Sequence, residues 1–449
     1  MSDAKPILDY QPATRRLRAL ADMKGLWSLG DQAILSLGNF LTTWLLLRTQ
    51  SNWYGNYYVI LTIIFFLNNL HMSMVTYPIS ITSAGITDSE LRRRIRRAIG
   101  FTLLLGIPES LIIGVGTRIT TGSWRLVPLA VAALVIWQLQ ETVRRALMAR
   151  LEHRRAIAGD IVAYLVQAAA IWVVIHLGWI TIGWAFGLIG ASSLVAFFIQ
   201  AAQLKLYLPS HDEPSHSIHQ QARHHFSLGQ WILLATSVSV LTIYSIPWML
   251  RYMHGPTGVA MYSALLLVLN ASNPLRDAMA NLITPVVANT HAAARNAGRR
   301  GDRECLRAAI KHAIQGACIL FPFFTFIAVI PSVPLHIFYK PGSPYLALGN
   351  PMRIFAAVYT LTYISSVVNS YLCGLGLSKV PFMAQLANAV ATVLITLPLV
   401  AMWGLTGAAI GGLFSVGAQL CVSCYHVWKV WHKTSDELSS PVALHAQPV

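Results

Sequence analysis

Apolar stretches of near-constant length recur from one end of this chain to the other, with short polar or basic links between them. They lie near 25–48, 56–82, 98–116, 126–147, 157–177, 182–204, 226–250, 258–288, 308–330, 351–373, 381–402 and 406–428. Each holds roughly the 20 apolar residues a helix needs to cross ~30 Å of hydrocarbon. The pattern predicts an all-α polytopic membrane protein with about twelve spans, because a membrane-crossing helix satisfies its own backbone. The links after the fifth and eleventh spans are very short.

Composition agrees, with 55% hydrophobic and only 11% charged residues and a mean hydropathy of +0.55. A soluble domain carries roughly a quarter charged residues. The formal net charge of +16 would suit a nucleic-acid partner, but its placement excludes one. With the N-terminus inside, 26 of the 33 Lys and Arg fall on cytoplasmic segments, six on the opposite side, and Arg276 inside a span. The largest groups are Arg92, Arg93, Arg94, Arg96 and Arg97; Arg144, Arg145, Arg150, Arg154 and Arg155; and Arg295 to Lys311. This positive-inside bias puts both termini in the cytoplasm and offers contact with anionic headgroups. Residues 1–24 are polar and basic, unlike a cleavable signal. Cys421-x-x-Cys424 sits mid-span without a second pair, which favours small-residue packing over metal or redox chemistry.

The chain reads as two halves: an N-terminal six-helix lobe (1–204), a cytoplasmic hinge (205–225), a C-terminal six-helix lobe (226–433) and a tail (434–449). Glu90-Leu-Arg92…Ile95-Arg96…Ala98-Ile99 matches Cys305-Leu-Arg307…Ile310-Lys311…Ala313-Ile314. Pro78 echoes Pro285, Trp44…Arg48…Gly55 echoes Trp248…Arg251…Gly258, and Gly183–Gly187 echoes Gly407–Gly411. Six spans per half is even, so the repeats are parallel and a central cavity is expected between them. The hinge histidines include a feasible zinc or nickel pair, His216-x-x-His219, but acids and histidines spread without regular ligand spacing favour a solvated loop.

Cys373-Gly-Leu-Gly-Leu-Ser-Lys379-Val-Pro381, a long apolar helix and then Trp403-Gly404-Leu-Thr-Gly407-Ala-Ala-Ile-Gly411 resemble the multidrug/oligosaccharidyl-lipid/polysaccharide exporter superfamily. The early Tyr54-Gly55-Asn-Tyr57 turn resembles it too, and the likeness is to the polysaccharide branch. The resemblance implies a bacterial inner-membrane flippase. It would move undecaprenyl-diphosphate-linked O-antigen or exopolysaccharide repeat units outward by alternating access, needing no cofactor and acting beside membrane lipids, a polysaccharide polymerase and a chain-length regulator.

Polar residues inside spans are the candidates for that work, because each is costly in lipid unless it faces water or a partner. Arg276 and Asp277 stand between Asn270, Asn273 and Asn281, with Pro274 and Pro285 nearby, in the most polar stretch of any span. A kinked, cavity-facing helix whose guanidinium fork takes a phosphate is one reading, and the resemblance, to flippases with cavity arginines, supports it for Arg276 alone. A structural pair with an acid on another helix is the other. Span two offers Asn68, Asn69 and His71 ahead of Pro78; His71 reads as a satisfied hydrogen-bonder or a substrate contact. Arg48 and Arg251, at the outer ends of spans one and seven, attract a diphosphate or simply snorkel.

Asp31, early in span one, is a coupling-ion candidate or a helix-end residue, and in either case should face the cavity or a partner; Asp277 is the second coupling-ion candidate. Glu141–Arg145 reads as an i,i+4 pair, Asp160 as a partner of Arg154 or Arg155, and Glu109 as bonded to a neighbouring helix. Enzyme motifs are missing. There is no P-loop and no His-Glu-x-x-His, and Gly25…Ser28…Gly30 and Gly412…Ser415…Gly417 each miss the nucleophile-elbow spacing by one residue. The alternatives to the flippase are a cation-coupled multidrug exporter of the sister branch and a membrane-embedded glycan-modifying enzyme.

Overall fold

The computed structural model describes residues 11–49, 52–82, 86–150, 152–208, 218–296, 301–377 and 379–432. They are helical throughout, without a strand among them. Eight helices are long and apolar enough to cross a membrane, and two of these are double. One runs over 236–291 and is broken at Gly255 (φ 73°, ψ −175°); the other runs over 379–429 and is broken at Gly404 (φ 54°, ψ −126°). Helices Gln11–Arg48 and Val127–Ala149 complete the set, so each of the twelve expected stretches coincides with a helical segment among the described residues.

The chain folds as two compact units, Met1–Thr236 and Ser237–Val449. In the first, spans one to six are Gln11–Arg48, Tyr54–Thr82, Asp88–Thr121, Val127–Ala149, His153–His176 and Ile182–Gln203. An apolar core at one end gathers Ile79, Leu91, Ile95, Phe101, Val143, Leu147 and Ala156. Span five holds a π-helical turn at Ile161–Val166, and span eleven of the second unit holds one at Thr392–Thr396. The same irregularity thus falls in the fifth span of each unit.

Burial corrects the register of the repeat. The letters pair Glu90 with Cys305 and Leu91 with Leu306. The buried positions of span nine (Asp302–Val329) are Cys305, Ala309, Gly316, Leu320, Phe324 and Ile327. All of these but Phe324 fall, in the same order and spacing, on buried positions of span three, Leu91, Ile95, Thr102, Gly106 and Ile113, within a wider buried set that includes Ala98, Phe101 and Glu109. The two helices therefore correspond with Leu91 opposite Cys305, one residue from the sequence pairing. Arginine and aliphatic letters repeat on neighbouring helix positions, so letter matching tolerates a slip of one that a buried stripe does not.

The second unit turns sharply between spans eleven and twelve. Gly404 adopts backbone angles open only to glycine, and the His254 ring packs where a Cβ would lie, 3.3–3.4 Å away. His254 Nε2 also lies 2.8 Å from the carbonyl of Val400, binding the end of span seven to the end of span eleven. Gly404→Ala is expected to cost about 1–3 kcal/mol of backbone strain. Thermal unfolding of the purified protein reads this, and an unchanged midpoint would show that the turn relaxes freely. The 331–350 link is itself folded, with a helix at Ser332–Phe338, and Tyr339 Oη donates to the carbonyl of Ala264 at 2.7 Å.

Candidate functional site

Span eight breaks where its polar residues cluster. Pro274 has no N–H to return to the carbonyl of Asn270, and the chain tightens into a 3₁₀ turn at Asn270–Ser272 before the helix resumes at Asn273. The turn splays polar side chains to one place. Asn270 Oδ1 accepts from Tyr359 Oη at 2.6 Å and from Asn273 Nδ2 at 3.1 Å, while Asn273 Oδ1 is buried without a partner among the described residues. Arg276 Nε donates to Asp277 Oδ1 at 3.2 Å, with the two side chains 24% and 62% exposed. The terminal amino groups of Arg276 make no hydrogen bond among the described residues. A partly exposed guanidinium whose outer edge is unengaged among the described residues can grip an anionic oxygen pair. Asn281 lies on the same helix, and its side chain falls outside the described residues. Tyr359, on span ten (Gly349–Gly374), belongs with this group. Nothing in its aromatic-rich sequence surroundings singled it out.

The other candidates sit elsewhere. Arg48 lies over the Trp44 ring at 4.9 Å, a cation–π contact, and Arg251 is half-buried. Asn69 Nδ2 donates to the carbonyl of Phe65 within its own helix at 2.7 Å. His71 is 1% exposed, with Nε2 at 3.0 Å from Thr102 Oγ1 and 3.4 Å from Thr142 Oγ1. Glu109 accepts from Gln138 Nε2 at 2.6 Å, the bond to a neighbouring helix its mid-span position called for.

A second polar group lies inside the first unit, and it has a charged centre. Arg144 of span four is 1% exposed and donates to acids from three places. Its Nη2 reaches Asp31 Oδ2 at 2.7 Å, its Nε reaches Asp160 Oδ2 at 2.9 Å, and its Nη1 reaches Glu141 at 3.1 Å. Both aspartates are 0% exposed. Gln200 Nε2 adds bonds to the carbonyl of Ala156 at 3.0 Å and to Asp160 Oδ1 at 3.3 Å, and Gln140 Nε2 donates to Gln200 Oε1 at 3.2 Å. Gly159 lets that glutamine cross, since a Cβ there would collide with it. Asp31 does face a partner. Asp160 is a correction: it pairs with Arg144 rather than with Arg154 or Arg155. Arg154 stacks on Trp27 at 5.9 Å and Arg155 bonds Glu152 at 2.8 Å. Arg145 makes the expected i,i+4 pair with Glu141 at 2.5 Å.

Three acids, Asp31, Asp160 and Glu141, gather around two arginines, Arg144 and Arg145. Asp31 Oδ1 and Gln140 Oε1 are buried acceptors without a partner among the described residues. The signal for this group was available as lone acids at similar depth in spans one and five, and an arginine in span four, but nothing in the sequence joins them. The histidine-bearing link at 211–216 lies outside the described residues, as do the side chains of His219, His224 and His225.

No family model matches the chain, and no curated protein matches it. Solved structures do. An inward-facing multidrug-resistance MATE transporter of the MOP superfamily aligns with a TM-score of 0.64 at 13% identity, over 92% of this chain and 96% of its own. The lipid II flippase MurJ in an inward closed conformation aligns with a TM-score of 0.66 at 15% identity, over 90% and 92%. A MOP-superfamily transporter from Pyrococcus furiosus, described as having a binding pocket of reverse polarity, gives 0.57 at 13% identity, over 90% and 95%. The fold is the one these exporter-superfamily members share, carried by an all-α, multi-pass membrane chain.

Proposed function

We propose that this protein is a flippase that carries undecaprenyl-diphosphate-linked oligosaccharide repeat units from the cytoplasmic to the outer leaflet of a bacterial inner membrane. The observation that carries the reading is Arg276, 24% exposed at a polar break in an apolar span, with its outer amino groups unengaged among the described residues. A cationic fork at that place suits a diphosphate and disfavours a cationic drug. Sharing a fold with transporters and a lipid-linked flippase supports translocation over catalysis. Asn270, Asn273 and Tyr359 would position the headgroup, Arg48 and Arg251 would draw it toward the outer mouth, and the two units would rock in alternating access.

Energy would come from gradients. Moving an anion outward is downhill in an inside-negative cell by roughly 2.3 kcal/mol per charge per 100 mV. Flux into proteoliposomes that ignored the imposed potential would sink that part of the reading.

A cation-coupled exporter is the second reading, favoured by the excess acid around Asp31 and Asp160. The deciding experiment is the sidedness of the lipid-linked glycan in cells lacking the gene. Accumulation on the cytoplasmic leaflet, cleared when the gene is restored, is the expected result. Normal arrival at the outer leaflet would end the glycan assignment and point to drug-efflux assays.

A further inference from the structure

Spans three and four pack along a seam of close contacts. A Cβ at Gly106 would stand 3.5 Å from Val135, and one at Gly114 would stand 3.2 Å from Val127. Between these two approaches the seam turns polar. Glu109, 6% exposed, accepts from Nε2 of Gln138, 1% exposed, at 2.6 Å. Gln138 Oε1 is buried and receives no hydrogen bond among the described residues. The pair lies at mid-span, since the helix runs on from Glu109 to Thr121, about 18 Å further. Ile107 and Leu111, on its other side, are exposed.

No cation answers this acid. Glu109 makes no ion pair among the described residues. Spans two and four are the helices packed against span three. Span two brings His71, but to Thr102, seven residues and about 10 Å back along the helix. Tyr54, Tyr57 and Tyr58 stand at one end of span two and Tyr77 near the other. Span four brings Glu141, Arg144 and Arg145, which hold one another one to two turns past Gln138. On span three itself, Arg97 lies three turns before Glu109, and Arg118 lies more than two turns after it, over the Trp124 ring. An ionised carboxylate in such a seam is costly, and one amide N–H offsets little of that cost.

We propose that Glu109 and Gln138 form a proton-binding site that clamps span three to span four. The carboxyl O–H supplies the donor that Gln138 Oε1 lacks, while Gln138 Nε2 still donates to the other carboxyl oxygen. The result is an acid–amide pair with two hydrogen bonds and no net charge. A hard metal cation is a poor occupant, because it takes about six oxygen ligands and the pair has three. Release of the proton leaves a carboxylate between two close-packed helices, so the clamp loosens as the proton leaves. The site is separate from Arg276 and from the group around Arg144, and it does not depend on the transported substrate.

The test is infrared spectroscopy of the full-length protein in lipid bilayers at neutral pH, beside thermal unfolding over a range of pH. Wild type should show the C=O stretch of a protonated carboxylic acid, and Glu109→Gln should lack it. Gln138→Leu should move that band toward the frequency of an unbonded acid, which keeps the assignment testable if Glu109→Gln does not fold. The folded unit holds a proton that the unfolded chain releases in water. Raising the pH through neutrality should therefore lower the wild-type midpoint relative to Glu109→Gln, by about 2–4 °C for each pH unit. The acids around Arg144 are common to both proteins and cancel in that difference. Equal pH profiles would overturn the proposal, as would a wild type without the acid band or a band that survives in Glu109→Gln. So would stabilisation of wild type by sodium chloride over choline chloride that Glu109→Gln loses, which would give the carboxylate to a metal cation instead.

Discussion

Arg276→Ala is expected to cut translocation of lipid-linked oligosaccharide by on the order of tenfold to a hundredfold while leaving the fold intact. Hydrogen bonds to a charged group contribute about 1.5–3 kcal/mol, and each 1.4 kcal/mol is about tenfold. The side chain is 24% exposed and, among the described residues, holds one bond, to its sequence neighbour Asp277, so the folded unit loses little with it. Arg276→Lys keeps the charge but not the fork, and should fall between the two. Flux measured in proteoliposomes, beside the thermal midpoint of the same preparations, separates transport from stability. An alanine variant that flips at the wild-type rate would remove the residue on which the glycolipid reading rests. A variant that loses export of cationic compounds instead would favour the multidrug reading, because an arginine in the path should repel such cargo rather than hold it.

What could be read from the sequence depended on how far each inference reached along the chain. Spans were legible because a bilayer imposes length and apolarity locally, and even the double helices at Gly255 and Gly404 fell where the pattern changes. The polar stretch at Asn270–Asp277 was legible for the same reason, since Pro274 and its neighbours act on their own helix. Tyr359 was not, because its bond to Asn270 joins residues far apart in sequence. The pairing of Asp31 and Asp160 through Arg144 failed likewise. Each residue was noticed, but which spans adjoin, and at what rotation, is a packing outcome that no single helix states. The span-three register erred by one residue because a basic, aliphatic-rich helix looks much the same when shifted, and burial alone breaks the tie.

Arg144 should carry the largest stability effect in the first unit. Truncation to Ala leaves Asp31 and Asp160, both 0% exposed, facing each other without the guanidinium that bridges them at 2.7 and 2.9 Å. Breaking a buried ion pair on one side costs about 3–5 kcal/mol, so Arg144→Ala should express poorly and unfold well below wild type. The same physics says that removing Arg144 and both buried aspartates together is far milder, since a buried ionic group replaced by neutral residues of similar size is often neutral or stabilising. The triple variant Arg144→Met, Asp31→Asn, Asp160→Asn should therefore recover most of the midpoint lost by Arg144→Ala. A midpoint for Arg144→Ala equal to wild type would show that the charges do not hold spans one, four and five together. The triple variant also decides what Asp31 is for. If it folds and still moves lipid-linked oligosaccharide under a membrane potential, the buried acids serve architecture and transport needs no cation at Asp31. If it folds but no longer transports, the buried acids of this group are part of the cycle, and the coupling-ion reading of Asp31 gains the evidence it needs.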